Sequence, residues 1–165
     1  VGLGIGMNPD MKKDIKSLSP RLALLPLATI LGSWLGAVVA YLIMNIDLTS
    51  VLQHRSLSDC LALNSGFAYY SLSSIFITEY RGAELGTIAL LANIIREMTT
   101  LLLTPLLAKW FGPLAPISTG GATTMDTTLP IITQTIGQRY VALSIYHGFV
   151  TDFSVPFLVT MWCML

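Results

Sequence analysis

The sequence predicts an all-α, polytopic membrane protein with about five transmembrane segments, and three observations lead there. First, 53% of its 165 residues are apolar and 11% are charged. Nine acidic and nine basic residues are too few to coat a soluble domain of this length. Second, five stretches approach or exceed the roughly 20 residues that a helix needs to cross the hydrocarbon core. Third, the polar groups inside those stretches recur at helical spacing, so they gather on faces.

The elements follow in chain order. Val1–Met7 is apolar, too short to span, and lacks the basic flank and cleavage site of a signal peptide. Residues 1–7 therefore read as the end of a truncated transmembrane helix, and 8–21, with the charged run Asp10–Lys16, as a cytoplasmic loop. Residues 22–165 form a five-helix transmembrane half. Leu22–Ile46 is its clearest span, with Gly32, Ser33, Gly36, Ala37 and Ala40 spaced for close helix contact. Leu57–Glu79, Gly82–Leu107, Pro113–Ile136 and Tyr140–Leu165 follow as more polar spans. Short turns at Arg81–Gly82, Lys109–Gly112 and Gly137–Arg139 separate them.

Five crossings place Lys12, Lys13, Lys16, Arg21, Arg81 and Arg139 on one side and Arg55 and Lys109 on the other. The excess of basic residues marks the first side as cytoplasmic and puts the C-terminus outside. The net charge is zero, which gives no basic footprint for nucleic acid. Cys60 and Cys163 share no metal-ligand or disulfide spacing and read as small packing residues. No metal or cofactor motif is present, and HExxH, GxSxG and glycine-rich phosphate loops are absent. Asp126 and Asp152 lack the glycine-rich setting of an intramembrane aspartyl protease, so the chain is not read as an enzyme.

Charges and amides inside spans are costly, on the order of 3 kcal/mol for a charge at the centre on insertion scales. The candidate site is therefore built from them. Asn93, Arg96, Glu97, Thr100 and Thr104 share one helix face, with Arg96 and Glu97 about 100° apart and reaching different partners. Asn64, Ala68, Ser71 and Thr78 form a second stripe, in which Gly66 permits bending and Glu79 lies near the cytoplasmic end. Ser144, His147, Thr151 and Ser154 form a third, with Asp152 on a neighbouring face; His147 could relay protons or serve as a hydrogen-bonded structural residue.

Ser118–Pro130 is the most unusual segment. Six hydroxyl residues, Gly120–Gly121 and Asp126 stand where a span would be aliphatic. The glycines lower helix propensity, and Pro130 is expected to push away the carbonyl of Asp126 four residues earlier. A helix broken near residues 118–130 follows, with Asp126 at the break and Thr123 and Thr124 beside it. Breaks of this kind form ion and substrate sites in secondary transporters.

These blocks resemble the C-terminal half of the bacterial lysine exporter (LysO-type) family. The likeness lies in Ser65-Gly-Phe-Ala-Tyr-Tyr-Ser-Leu-Ser73, Ile77-Thr-Glu79, Asn93 with Arg96-Glu97, Gly121-Ala-Thr-Thr-Met-Asp-Thr-Thr-Leu-Pro130 and His147-Gly-Phe149. The resemblance implies export of L-lysine across the bacterial inner membrane, with protons as the exchanged ion. It also implies one repeat of an inverted-repeat transporter, an N-terminal half in the same or a separate chain as partner, and allows a homodimer. Asp126 would bind lysine's ammonium or a proton, Glu97 or Glu79 would supply a second carboxylate, and Arg96 would meet the substrate's carboxylate. Asn93, Asn64, Ser71, Thr123, Thr124 and His147 complete the candidate set. The family pattern assigns no role to Asp152. Two other readings are a sodium-coupled organic-anion transporter of related fold and a non-transporting membrane subunit.

Overall fold

The computed structural model describes residues 20–46 and 56–165. Val1–Met7, the charged run after it and Arg55 lie outside them. A 3-10 turn, Pro20–Leu24, leads into α1, Leu25–Ile46. Then come α2, Leu57–Asn64; α3, Tyr70–Arg81; α4, Ala83–Phe111; α5, Ala115–Gly120; a 3-10 turn, Gly121–Met125; and α6, Leu129–Ile136. A last 3-10 turn, Gln138–Tyr140, precedes α7, Val141–Met164. Among the described residues every regular element is helical, as an all-α membrane protein requires.

Three stretches are long and apolar enough to cross a membrane: Pro20–Met44, Ala83–Phe111 and Gln138–Met164. Their outward faces are aliphatic and aromatic: Leu27, Leu31 and Leu35 on α1, Leu91, Ile95 and Leu102 on α4, Phe149, Phe153 and Phe157 on α7. The interior is comparatively polar, with Thr29, Ser65, Asn93, Thr100, Thr124 and His147 buried. Such an arrangement suits a lipid surround, where apolar surface carries no cost and polar groups seek protein partners.

The other two expected spans are not single helices. Leu57–Glu79 divides into α2 and α3, and Arg81 at the end of α3 lies beside the start of α2, its Nη1 3.6 Å from Asp59 Oδ1. A straight helix would part residues 59 and 81 by ~33 Å, so the chain has turned back. Arg81 Nε also donates to the Cys163 carbonyl (3.0 Å), which places both hairpin ends at the Leu165 end of the bundle. Pro113–Ile136 folds back in the same way. Leu114, before α5, and Ile136, closing α6, pack against one cluster of Ile117, Ile132, Tyr140 and Leu143, together with Leu22 and Leu25. This second hairpin thus rises from the Pro20 end. The expected five crossings become three helices of spanning length and two hairpins that enter from opposite ends.

The order α2–α3 then α4, and α5–α6 then α7, is a hairpin followed by a long helix, twice, in opposite senses. Two basic residues consequently change sides: Lys109 joins Arg21 and Arg139 at the Pro20 end, and Arg81 lies at the other. Tyr146 near the start of α7 donates to the Ala23 carbonyl (3.2 Å), so α1 and α7 run parallel.

The hairpin tips meet inside the bundle. Ala122 N–H donates to the Phe67 carbonyl (2.9 Å), joining second tip to first. Phe67 and Ala68 adopt φ of 42° and 69° without being glycine, a conformation that its surroundings must hold. Asn93 of α4 supplies the hold: its Oδ1 accepts from Ala68 N–H (2.8 Å), and its Nδ2 donates to Ser73 Oγ (3.3 Å) and the Ala89 carbonyl (2.9 Å). Gly121 needs to be glycine twice over, because its φ is 59° and a Cβ would strike the Phe67 carbonyl.

Candidate functional site

The tips gather polar groups from α1, α4 and α7. Arg96, half-buried in mid-α4, donates from Nε to the Thr119 carbonyl (2.9 Å) and from Nη2 to the Ser118 carbonyl (3.1 Å). Carbonyls at a helix's last turn have no intrahelical partner, so this guanidinium caps α5 where it stops. Its carbon lies 5.6 Å from the centre of the Phe67 ring, a cation–π contact with the other tip. Its Nη1 points to Ser33 Oγ at 3.5 Å, a long contact. That edge faces a recess of about 360 Å³ bordered by Thr29, Gly32 and Ser33 of α1 and by Ser118 and Thr119.

A second cavity of about 130 Å³ is lined by Tyr69, Ala122, Thr123, Met125, Asp126 and Asp152. Asp126 is exposed on this chain, and its Oδ1 accepts from the following Thr127 N–H (2.6 Å). Asp152 projects from α7, half-buried, with no ion-pair partner among the described residues. Pro156 sits inside α7 and cannot donate to the Asp152 carbonyl four residues back. The pocket therefore holds two carboxylates and no basic side chain. Asp152 was the acid left without a role by its sequence; only the fold, which lays α7 along the second tip, joins it to Asp126. Gly148 permits that approach, since a Cβ there would meet Met125 N at 2.7 Å and the Ala122 carbonyl at 2.9 Å.

The remaining candidates divide. Thr123 and Thr124 are buried in the second tip, with Thr123 Oγ1 donating to the Gly120 carbonyl (2.9 Å). Thr124 and His147 meet, Oγ1 to Nδ1 at 3.3 Å, and His147 Nε2 lies 2.9 Å from Thr29 Oγ1. Thr29 lies in the most apolar span, where a lone threonine gave no signal. Asn93 is buried with its amide engaged in holding the first tip. Glu97 is half-buried one turn beyond it on α4. Asn64, at the end of α2, donates to the Cys60 carbonyl (3.1 Å).

Ser71 and Glu79 are exposed on α3, and Glu79 stands nine residues from that helix's tip end, ~14 Å along it. Glu79 is not brought to the tips, whereas Ser71, in the first turn of α3, lies beside the first tip with its side chain exposed. The continuous stripe expected from Asn64 to Thr78 does not exist, because residues 65–69 reset the helical register. Pro130 also acts differently from expectation. It occupies the first turn of α6, where its missing N–H is harmless, and the Asp126 carbonyl accepts from Leu129 N–H (3.3 Å). Gly120 and Gly121, not Pro130, mark where the helix stops.

Comparisons with known proteins agree with one another. The family described as lysine exporter LysO matches residues 1–163. The lysine exporter LysO of Escherichia coli (strain K12) is 31% identical over 159 residues, covering 96% of this chain and 50% of that protein. A putative lysine exporter of Haemophilus influenzae (strain ATCC 51907 / DSM 11121 / KW20 / Rd) is 34% identical over 129 residues, 78% of this chain and 61% of that protein. The chain thus spans about half the length of the first of these relatives. No solved structure matches.

Proposed function

We propose that this chain, which belongs to the lysine exporter LysO family, carries a cation-binding site of an exporter that moves L-lysine out across the bacterial cytoplasmic membrane in exchange for protons. The family is one of transporters, not enzymes. The observation that carries the reading is the pocket between the hairpin tips, with Asp126 and Asp152 on its walls and no basic side chain beside them. Two carboxylates without a cation call for one, and an ammonium group or a proton can each supply it. A cavity of 130 Å³ is a few times the ~30 Å³ share of one water. It has room for the charged head of a lysine side chain.

Competition then couples the fluxes. While Asp126 and Asp152 are ionised they hold the ammonium; when protons arrive from outside, the ammonium leaves. Glu97 is a further proton acceptor on the same face of α4 as Arg96. Arg96 spends Nε and one Nη2 hydrogen on carbonyls, and Nη1, toward the recess, is the edge turned to the substrate's carboxylate. The family match favours lysine over a sodium-coupled organic anion as the cargo.

The two hairpins supply the broken backbone that transporters use, with Phe67 and Ala68 of the first tip and Gly121 to Thr124 of the second buried. Asp126 is exposed on this chain, and in the E. coli relative half of the protein lies outside the aligned region and is free to cover it. Proton flux driven by lysine, measured with the full exporter in liposomes, tests the reading. Asp126→Asn should abolish coupled flux; lysine-driven proton flux undiminished in that variant would remove the acid pocket from the transport cycle.

A further inference from the structure

The buried imidazole of His147 touches three elements, and its hydrogen bonds have one consistent direction. Thr124 Oγ1 lies 2.8 Å from the Gly121 carbonyl and 2.9 Å from the Ser144 carbonyl. A hydroxyl has one proton and a carbonyl only accepts, so Thr124 donates to a carbonyl. It can meet His147 Nδ1, 3.3 Å away, only as acceptor. Nδ1 therefore carries the proton. Nε2 is left as an acceptor, and Thr29 Oγ1, 2.9 Å away, donates to it. The chain runs from Thr29 through the ring to Thr124 and on to the backbone of the second tip, with every donor matched.

Each end of this chain borders a cavity. Thr29 lines the recess beside Arg96 and Ser33. Thr124 adjoins Thr123, which lines the pocket with Asp126 and Asp152. The next residue, Gly148, lies directly against the backbone of Ala122 and Met125, two walls of that pocket. His147 and Gly148 thus carry the second tip on one side while His147 holds α1 on the other.

We propose that His147 is a positioning residue: its Nδ1–H imidazole ties the tip of the second hairpin to α1 and sets the wall of the acid pocket. This role is distinct from binding a transported proton, because both ring nitrogens are engaged and the ring lines neither the recess beside Arg96 nor the acid pocket. The inference rests on the proposed function only for its effect on lysine, so it is tested by a readout that needs no transport.

In the full exporter, with Cys60 and Cys163 replaced by alanine, Met125→Cys reports the pocket wall by its rate of labelling with a membrane-impermeant maleimide. His147→Asn retains a donor at the δ position toward Thr124, whereas His147→Leu retains neither polar contact. His147→Leu should change the labelling rate about fivefold, the ratio equivalent to a net hydrogen bond of ~1 kcal/mol. His147→Asn and Thr29→Val each lose the Thr29 contact and keep the Thr124 one, so both should shift the rate in the same direction as His147→Leu but by less. Lysine efflux should follow as a raised KM with kcat little changed. Equal labelling in all three variants, or a His147→Asn rate matching that of His147→Leu, overturns the inference. A labelling pattern as expected in a protein that moves no lysine would leave His147's role standing and refute the function instead.

Discussion

At the scale of single residues, polar side chains here hold irregular backbone as often as they face a cavity. Asn93 makes three hydrogen bonds, and its acceptor satisfies Ala68 N–H in a tip that no helix supports. Leaving a buried donor unpaired costs about 1–3 kcal/mol. Asn93→Ala should therefore destabilise the detergent-solubilised protein by about 1–3 kcal/mol, seen as a lowered melting temperature, and an unchanged melt would deny the clamp. Asp152 has the opposite character, half-buried with a cavity before it. Charge-assisted contacts run to roughly 1.5–3 kcal/mol, so Asp152→Asn should raise the lysine concentration for half-maximal efflux by about tenfold or more while the melt stays near that of the parent. An unaltered concentration dependence would mean that the ammonium does not reach Asp152. The two variants separate a residue that shapes the site from one that faces its ligand.

At the scale of elements, what a sequence can and cannot tell becomes physical. Helices α1, α4 and α7 were legible within a few residues, because length and hydropathy alone decide a spanning helix. Gly120–Gly121 and Gly66 were legible as weak points. Whether a polar segment of about 23 residues runs through or folds back was not, since helical periodicity is the same in both cases. The first turn-back is built on Phe67 and Ala68 at positive φ, which no residue preference announces, and Asn93 makes it feasible from 25 positions away. Asp152 was missed for a similar reason: its partner lies on another element. The hairpins make a labelling prediction that five crossings cannot. Single cysteines at Ser56 and Gly82 should react from one side of the membrane, and those at Gly112 and Gly137 from the other. Reaction of the Ser56 and Gly82 positions from opposite sides would restore a continuous span.

At the scale of the whole molecule, the two hairpin–helix units insert in opposite senses and bring their tips together at Phe67 and Ala122. That geometry brings two broken elements from opposite ends of the bundle to one point, as the broken helices of secondary transporters do. It also fixes how the molecule should sit. Among the described residues, Arg21, Lys109 and Arg139 share the Pro20 end and Arg81 lies at the other, apart from Arg96 in the middle of α4. Basic residues in short flanking segments are retained in the cytoplasm, so the Pro20 end should face inward and Leu165 outward. The count holds although Arg81 and Lys109 have exchanged sides, because each replaces the other's single charge. A reporter active only in the periplasm, fused after Leu165 in the full protein, should therefore be active, and one that fluoresces only in the cytoplasm should be dark. Reversed signals would place the second hairpin, and with it the route to Asp126 from the Pro20 end, on the outside, and the direction of lysine movement would have to be re-derived from that arrangement.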